Sequence, residues 1–105
     1  MKIALLGYGK MGQLIAQLAE EAGHEITLKA NSSKPLESQI EALKNSDVAI
    51  EFSLPQLALG HLKTCLENKI PVVCGTTGWL EHYASISQQF QNANLGFLYA
   101  SNFSI

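Results

Sequence analysis

Residues 2–23, "KIALLGYGKMGQLIAQLAEEAG", decide the fold of this chain. An apolar run leads into three glycines spaced G-x-G-x-x-G between positions 7 and 12, and apolar residues at helical spacing follow. This pattern predicts a strand, a tight turn and then a helix that begins at Lys10 and ends at Gly23. The inner face of that helix is expected to carry Met11, Leu14, Ile15, Leu18, Ala19 and Ala22.

The remainder of the chain continues the alternation of strand and helix. Further strands are predicted at 24–30, 48–52, 70–74 and 95–100, and further helices at 36–44, 55–68 and 80–91. This alternation predicts an α/β fold: a doubly wound parallel sheet, Rossmann-like, with strand order 3-2-1-4-5. Ligands of such sheets bind beyond the carboxyl ends of the strands, here at the switch between strands 1 and 4. The loops that follow the strands are therefore the candidate site.

Length and composition exclude several classes of protein. The chain has 105 residues, 47% hydrophobic and 15% charged, which predicts one ordered domain over residues 1–105. A net charge of −2 with no cluster of lysines argues against a nucleic-acid partner. No apolar run approaches the roughly 18 residues of a membrane span, so no membrane partner is expected.

Cysteine and histidine usage points in the same direction. The two cysteines suggest neither a disulfide framework nor metal-ligand spacing, and the three histidines stand far apart without paired carboxylates. We therefore expect no metal site. Free thiols without an export signal favour a cytoplasmic location.

The glycine pattern has a specific chemical interpretation. The first glycine permits a sharp turn, the second lets a pyrophosphate approach the backbone, and the third lets the helix pack closely on the strand. Free N–H groups at the start of the helix then face the phosphates. The alternative is a plain turn between strand and helix, which rarely needs three glycines. The predicted dinucleotide-binding residues of this loop are Gly7, Tyr8, Gly9, Lys10, Met11 and Gly12.

The loops after strands 2 and 3 carry further candidates. Asn31, followed by Ser32, lies where many such domains place an acid that holds the ribose hydroxyls. Because no carboxylate there repels a 2′-phosphate, the loop favours NADPH without excluding NADH; an ordinary polar loop is the alternative. After strand 3, Phe52 lies beside a cofactor ring or packs in the core, and Glu51 is the only acid at a strand end.

The loops after strands 4 and 5 are rich in small residues. "GTTGW", residues 75–79, lies beside the glycine loop in the predicted sheet and suits a chain that passes close to a ribose or a nicotinamide ring. "YASNFSI", residues 99–105, offers Asn102 as a hydrogen-bonding partner for a carboxamide.

The segments "GYGKMG", "IEFSLP", "PVVCGTTGW" and "YASNFSI", in this order, resemble the amino-terminal domain of the dihydrodipicolinate reductase family over the whole chain. The resemblance implies a cytoplasmic enzyme that uses NADH or NADPH to reduce a small-molecule substrate, a cyclic unsaturated dicarboxylate, on the diaminopimelate route to lysine. It also implies a homo-oligomer for the full-length enzyme. It adds cofactor roles to the strand-end loops: Asn31 and Ser32 at the adenosine ribose, Gly75, Thr76 and Thr77 beside the nicotinamide, and Ala100, Ser101, Asn102 and Phe103 over its carboxamide.

The family places its substrate and catalytic residues in a second domain that follows the "NFS" stretch. We therefore expect a chain truncated before the substrate domain, with no catalytic residue of its own, that binds cofactor without turnover. Strand 5, around Leu95, Phe97 and Leu98, is expected to be an uncovered edge that promotes self-association. The alternatives are a free-standing module that senses nicotinamide nucleotides and another dehydrogenase with this cofactor fold.

Overall fold

The computed structural model describes residues 1–100 as five strands and four α-helices in alternation. The strands are β1 (Lys2–Leu6), β2 (Glu25–Ala30), β3 (Val48–Glu51), β4 (Val72–Cys74) and β5 (Phe97–Tyr99). The helices are α1 (Lys10–Glu21), α2 (Ile40–Lys44), α3 (Pro55–Glu67) and α4 (Tyr83–Asn92), with 3-10 turns at Leu36–Gln39 before α2 and Leu80–His82 before α4. The predicted α/β class with a doubly wound, Rossmann-like parallel sheet is confirmed.

The strands form one parallel sheet in the order β2-β1-β3-β4-β5, so the predicted order 3-2-1-4-5 is wrong. β3 lies directly against β1, with Ile3 opposite Val48, and not outside β2. The reason lies in the two strands' side chains. β3 is buried or half-buried along its whole length, whereas β2 exposes Glu25 and Lys29 and therefore suits an edge. The switch in strand order, where ligands bind, consequently falls between β1 and β3.

The two faces of the sheet are covered unequally. One face packs on α2, α3 and α4 around a large apolar cluster that includes Leu6, Leu62 and Phe90. Within residues 1–100, the other face packs on α1 alone, through a smaller cluster that includes Leu5 and Ala16. The chain therefore buries most of its core on the three-helix side.

The inner face of α1 differs from the prediction. Its buried residues are Gly12, Ala16 and Ala19, while Leu14 and Leu18 are 49% and 56% exposed. The small residues face the sheet because the helix lies close against β1 directly after the glycine loop. Among residues 1–100, no helix is long and apolar enough to span a membrane.

An aromatic cluster joins β5 to α4. The Trp79 ring lies 5.9 Å from Phe97 and 5.5 Å from Tyr99, and Phe90 stacks on Phe97 with ring centroids 4.9 Å apart. β5 is an edge strand in the observed order, which is the position predicted for strand 5. Leu98, on the face of β5 opposite to Phe97 and Tyr99, is 57% exposed.

Candidate functional site

A cavity of about 870 Å³ opens at the carboxyl ends of β1 to β4, over the switch between β1 and β3. Most of the residues predicted from the sequence line it: Gly7, Tyr8, Gly9, Lys10, Met11, Gly12, Asn31, Ser32, Phe52, Gly75 and Thr76. Thr77 and Ala100 do not line the cavity, and Ser101, Asn102 and Phe103 lie outside the described residues. The structure thus brings the loops after four strands together around one space.

The three glycines of the first loop have different surroundings. Gly7 has φ +109°, and a Cβ there would lie 2.0 Å from the carbonyl oxygen of Phe52, so the fold itself requires glycine. A Cβ on Gly12 would lie 2.5 Å from the carbonyl oxygen of Gly7, which explains how α1 approaches the loop so closely. A Cβ on Gly9 meets no atom of residues 1–100 within 4 Å. The middle glycine is therefore not required by packing and leaves space open for a ligand.

The amino terminus of α1 presents backbone donors at the same place. Gly9 occupies the N-cap position, no side chain among the described residues caps the helix, and the first turn holds no acid. The first backbone bond of the helix runs from the Gln13 N–H to the Gly9 carbonyl, at 2.9 Å. The preceding amides and the positive end of the helix dipole form an environment that suits a phosphate.

The loop after β2 is a compact turn built on Asn31. Its side-chain oxygen accepts hydrogen bonds from the backbone N–H groups of Ser33 and Lys34, at 2.9 and 2.8 Å. The side-chain NH₂ group is thus the part of Asn31 that can serve a ligand. Glu37, in the 3-10 turn beyond this loop, also lines the cavity and brings a carboxylate that the sequence argument did not count.

The loops after β3 and β4 meet at a buried acid, Glu51, which is 0% exposed. Its carboxylate lies 2.7 Å from Nδ1 of His61 and accepts hydrogen bonds from the hydroxyls of Ser53 and Thr76. The prediction that the histidines stand without paired carboxylates is therefore wrong for His61. Spacing could have placed His61 on the buried face of α3, because it lies three residues after Ala58 and four before Cys65, but spacing gives no partner for it.

Both cysteines are buried thiols without a bond to each other. Burial raises the pKa of Cys65 and of Cys74 to about 12, with the nearby Glu51 carboxylate adding to the rise in each case. A thiol with so high a pKa is a poor nucleophile, so neither cysteine is a candidate for covalent catalysis. Among residues 1–100, no group of three His, Cys, Asp or Glu side chains could hold a metal ion.

The parallel sheet, the glycine loop that opens a helix, and the cavity at the switch point define a Rossmann-like nucleotide-binding domain. The fold is shared with a solved structure from Archaeoglobus fulgidus, provisionally named a homoserine dehydrogenase. Its TM-score is 0.75 at 19% identity, with 97% of this chain and 42% of that chain covered.

Within this class, the chain belongs to the family described as "Dihydrodipicolinate reductase, N-terminus", whose model matches residues 1–103. It is 43% identical to the 4-hydroxy-tetrahydrodipicolinate reductase of Christiangramia forsetii over 105 residues, which cover 100% of this chain and 43% of that protein. The enzyme of the same name from Staphylococcus carnosus is 45% identical over 84 residues, 74% of this chain and 34% of that protein. The chain thus spans less than half the length of these relatives.

Proposed function

We propose that this chain is the cofactor-binding half of a 4-hydroxy-tetrahydrodipicolinate reductase and that it binds NADPH or NADH in the cavity over the β1–β3 switch. The observation that carries the proposal is the glycine loop. It combines an open Gly9 with an uncapped helix terminus, and both face the cavity. The family membership supports the same assignment.

Each loop around the cavity has a place in this proposal. The pyrophosphate would lie against the glycine loop, where Lys10 adds positive charge. The adenosine ribose would lie beside Asn31 and Ser32 on the β2 side, and the nicotinamide ring beside Gly75 and Thr76 on the β4 side. The choice between the two cofactors depends on the β2 loop, which offers Asn31 as a donor and Glu37 as an acid.

A bound reduced nicotinamide supplies a hydride, and the protein's task is to bind and orient it and to hold an acceptor. The proposed acceptor is a dicarboxylate, which requires cations to hold it. Among the described residues, one lysine, Lys10, lines the cavity, and the chain contains no arginine. We therefore propose that residues beyond these 105 bind the substrate and that this chain alone performs no turnover. From the family membership we also propose that the parent protein is an NAD(P)H-dependent oxidoreductase of lysine biosynthesis.

Titration of the purified chain with NADPH and NADH, followed by cofactor fluorescence, tests the binding half of the proposal. Saturable binding of at least one cofactor is expected. Absorbance of the reduced cofactor in the presence of 4-hydroxy-tetrahydrodipicolinate tests the other half, and no loss of absorbance is expected. Binding of neither cofactor would overturn the proposed function, and steady turnover would overturn the assignment of the chain as a cofactor half.

A further inference from the structure

Glu51 is a buried acid, and three of its hydrogen-bonding partners, Ser53, His61 and Thr76, line the cavity. One oxygen, Oε2, faces Nδ1 of His61 at 2.7 Å and accepts from the Ser53 hydroxyl. The other, Oε1, accepts from the Thr76 hydroxyl and lies 3.8 Å from Sγ of Cys74. These partners come from three places: the loop after β3, the helix α3, and the end of β4 with its loop.

Burial of this acid is not required by the core around it. Its neighbours on the same face of the sheet, Leu6, Ala49 and Cys74, are small or apolar and are fully buried. An acid placed among them loses its hydration and must be compensated by hydrogen bonds, whereas an apolar side chain needs none. A carboxylate held at this cost indicates a role beyond stabilising the core.

The hydrogen-bond directions show what the carboxylate holds. The Thr76 hydroxyl accepts from the Ser53 backbone N–H at 2.9 Å, so its single hydrogen is free to be donated to Glu51. The Thr76 carbonyl in turn accepts from Nε1 of Trp79 at 2.7 Å. Thr76 is therefore fixed through its side chain by Glu51 and through its backbone by Trp79.

We propose that Glu51 is a positioning residue, which holds the Gly75–Thr76 segment in place against the nicotinamide half of the bound cofactor. The inference rests on the proposed function. In the order β2-β1-β3-β4, the glycine loop after β1 lies between the loop after β2 and those after β3 and β4. A dinucleotide with its pyrophosphate at β1 and its adenosine at β2 must place its other half over β3 and β4. Glu51 lies beneath that half and acts on it through Thr76.

The test compares NADH with ADP-ribose, which lacks only the nicotinamide ring. Glu51→Met keeps the approximate volume and removes the acceptor. It is expected to raise the Kd for NADH about tenfold and to change the Kd for ADP-ribose by less than about twofold. Glu51→Gln keeps an oxygen that can face Thr76 and is expected to recover most of the lost affinity. Glu67→Met, at the exposed end of α3, is the control for loss of a carboxylate elsewhere.

A second pair of variants keeps the test decisive if Glu51→Met fails to fold. Thr76→Val removes the hydroxyl and is expected to reproduce the selective loss of NADH affinity, and Thr76→Ser is expected to recover it. Equal weakening of NADH and ADP-ribose would mean that Glu51 is merely structural. An unchanged NADH affinity in the Met and Val variants would also overturn the proposal.

Failure of the proposed function gives a different result, in which the unsubstituted chain binds neither NADH nor ADP-ribose. The assignment of the nicotinamide half then falls. Whether Glu51 positions Thr76 can still be tested by hydrogen exchange of the Ser53 backbone amide, because this amide donates a hydrogen bond to the Thr76 hydroxyl. Faster exchange in the ligand-free Glu51 variants supports the positioning role, and unchanged exchange overturns it.

Discussion

Replacing Gly9 with Val separates the demands of the ligand from those of the fold. A Cβ on Gly9 meets no atom of the described part of the chain within 4 Å, so the added side chain projects into the cavity and not into the core. The backbone there is extended, at φ −84° and ψ −155°, so a side chain meets no left-handed strain. The remaining cost is the poorer N-cap, about 1 kcal/mol or less, which corresponds to a fall in Tm of about 4–8 °C at most.

The expected loss of cofactor affinity is much larger. Charge-assisted hydrogen bonds from backbone amides to a phosphate each contribute about 1.5–3 kcal/mol. If the valine keeps the pyrophosphate from one or two of them, the Kd for NADPH rises about a hundredfold, or about 2.7 kcal/mol. Fluorescence titration with NADPH measures the affinity, and thermal unfolding measures the stability.

Gly12→Ala is the matched control, because its Cβ would lie 2.5 Å from the carbonyl oxygen of Gly7. This variant must displace backbone, and we expect it to lose about 1–3 kcal/mol of stability. If folded Gly9→Val bound NADPH as tightly as the unsubstituted chain, the glycine loop could not be part of the cofactor site. A loss of stability as large as that of Gly12→Ala would refute the claim that the space above Gly9 is open.

Three further predictions test other parts of the molecule. Asn31→Asp keeps the oxygen that accepts hydrogen bonds from the loop amides, so the fold should persist. The new charge should weaken NADPH binding at least about tenfold more than NADH binding. Equal weakening of both cofactors in titrations would show that the loop does not recognise the 2′ position. Burial raises the pKa of Cys65 and Cys74 from 9.0 to about 12, so the folded chain keeps protons that the unfolded chain releases. The free energy of unfolding should keep its full value below about pH 9 and should fall as the pH rises towards 12. A free energy of unfolding by denaturant that stays constant over this range would contradict the prediction. Leu98 is 57% exposed on the edge strand β5, so the chain should self-associate at high concentration, and Leu98→Lys should reduce this association. A strictly monomeric unsubstituted chain in sedimentation would count against an uncovered edge.

The glycine loop was predictable because its signals are local. Gly7, Gly9 and Gly12 lie within six consecutive residues, and the turn, the open approach and the close packing they permit follow from the absence of a side chain. The same holds for α3, whose start at Pro55 matches the preference of proline for the first helical turn. The roles of these glycines in binding a cofactor remain predictions.

The Glu51–His61 pair could not be found in this way. The two residues are ten positions apart on different elements, and their contact exists only because α3 packs on the sheet beside β3. Glu51 is recognisable in the sequence as an acid at a strand end, but no local pattern places His61, Ser53 and Thr76 around it.

The sequence by itself determined the alternation of strand and helix, the parallel sheet and the glycine turn, because side-chain periodicity and glycine geometry act over a few residues. The tertiary structure decided the order of the strands, the buried face of α1 and the network at Glu51. Strand order depends on which strands bury both faces, and this placed β3 beside β1 while β2 kept its charged residues at an edge. The order of the strands depends on how deeply each strand is buried relative to the others, and a pattern within a few residues does not contain that information.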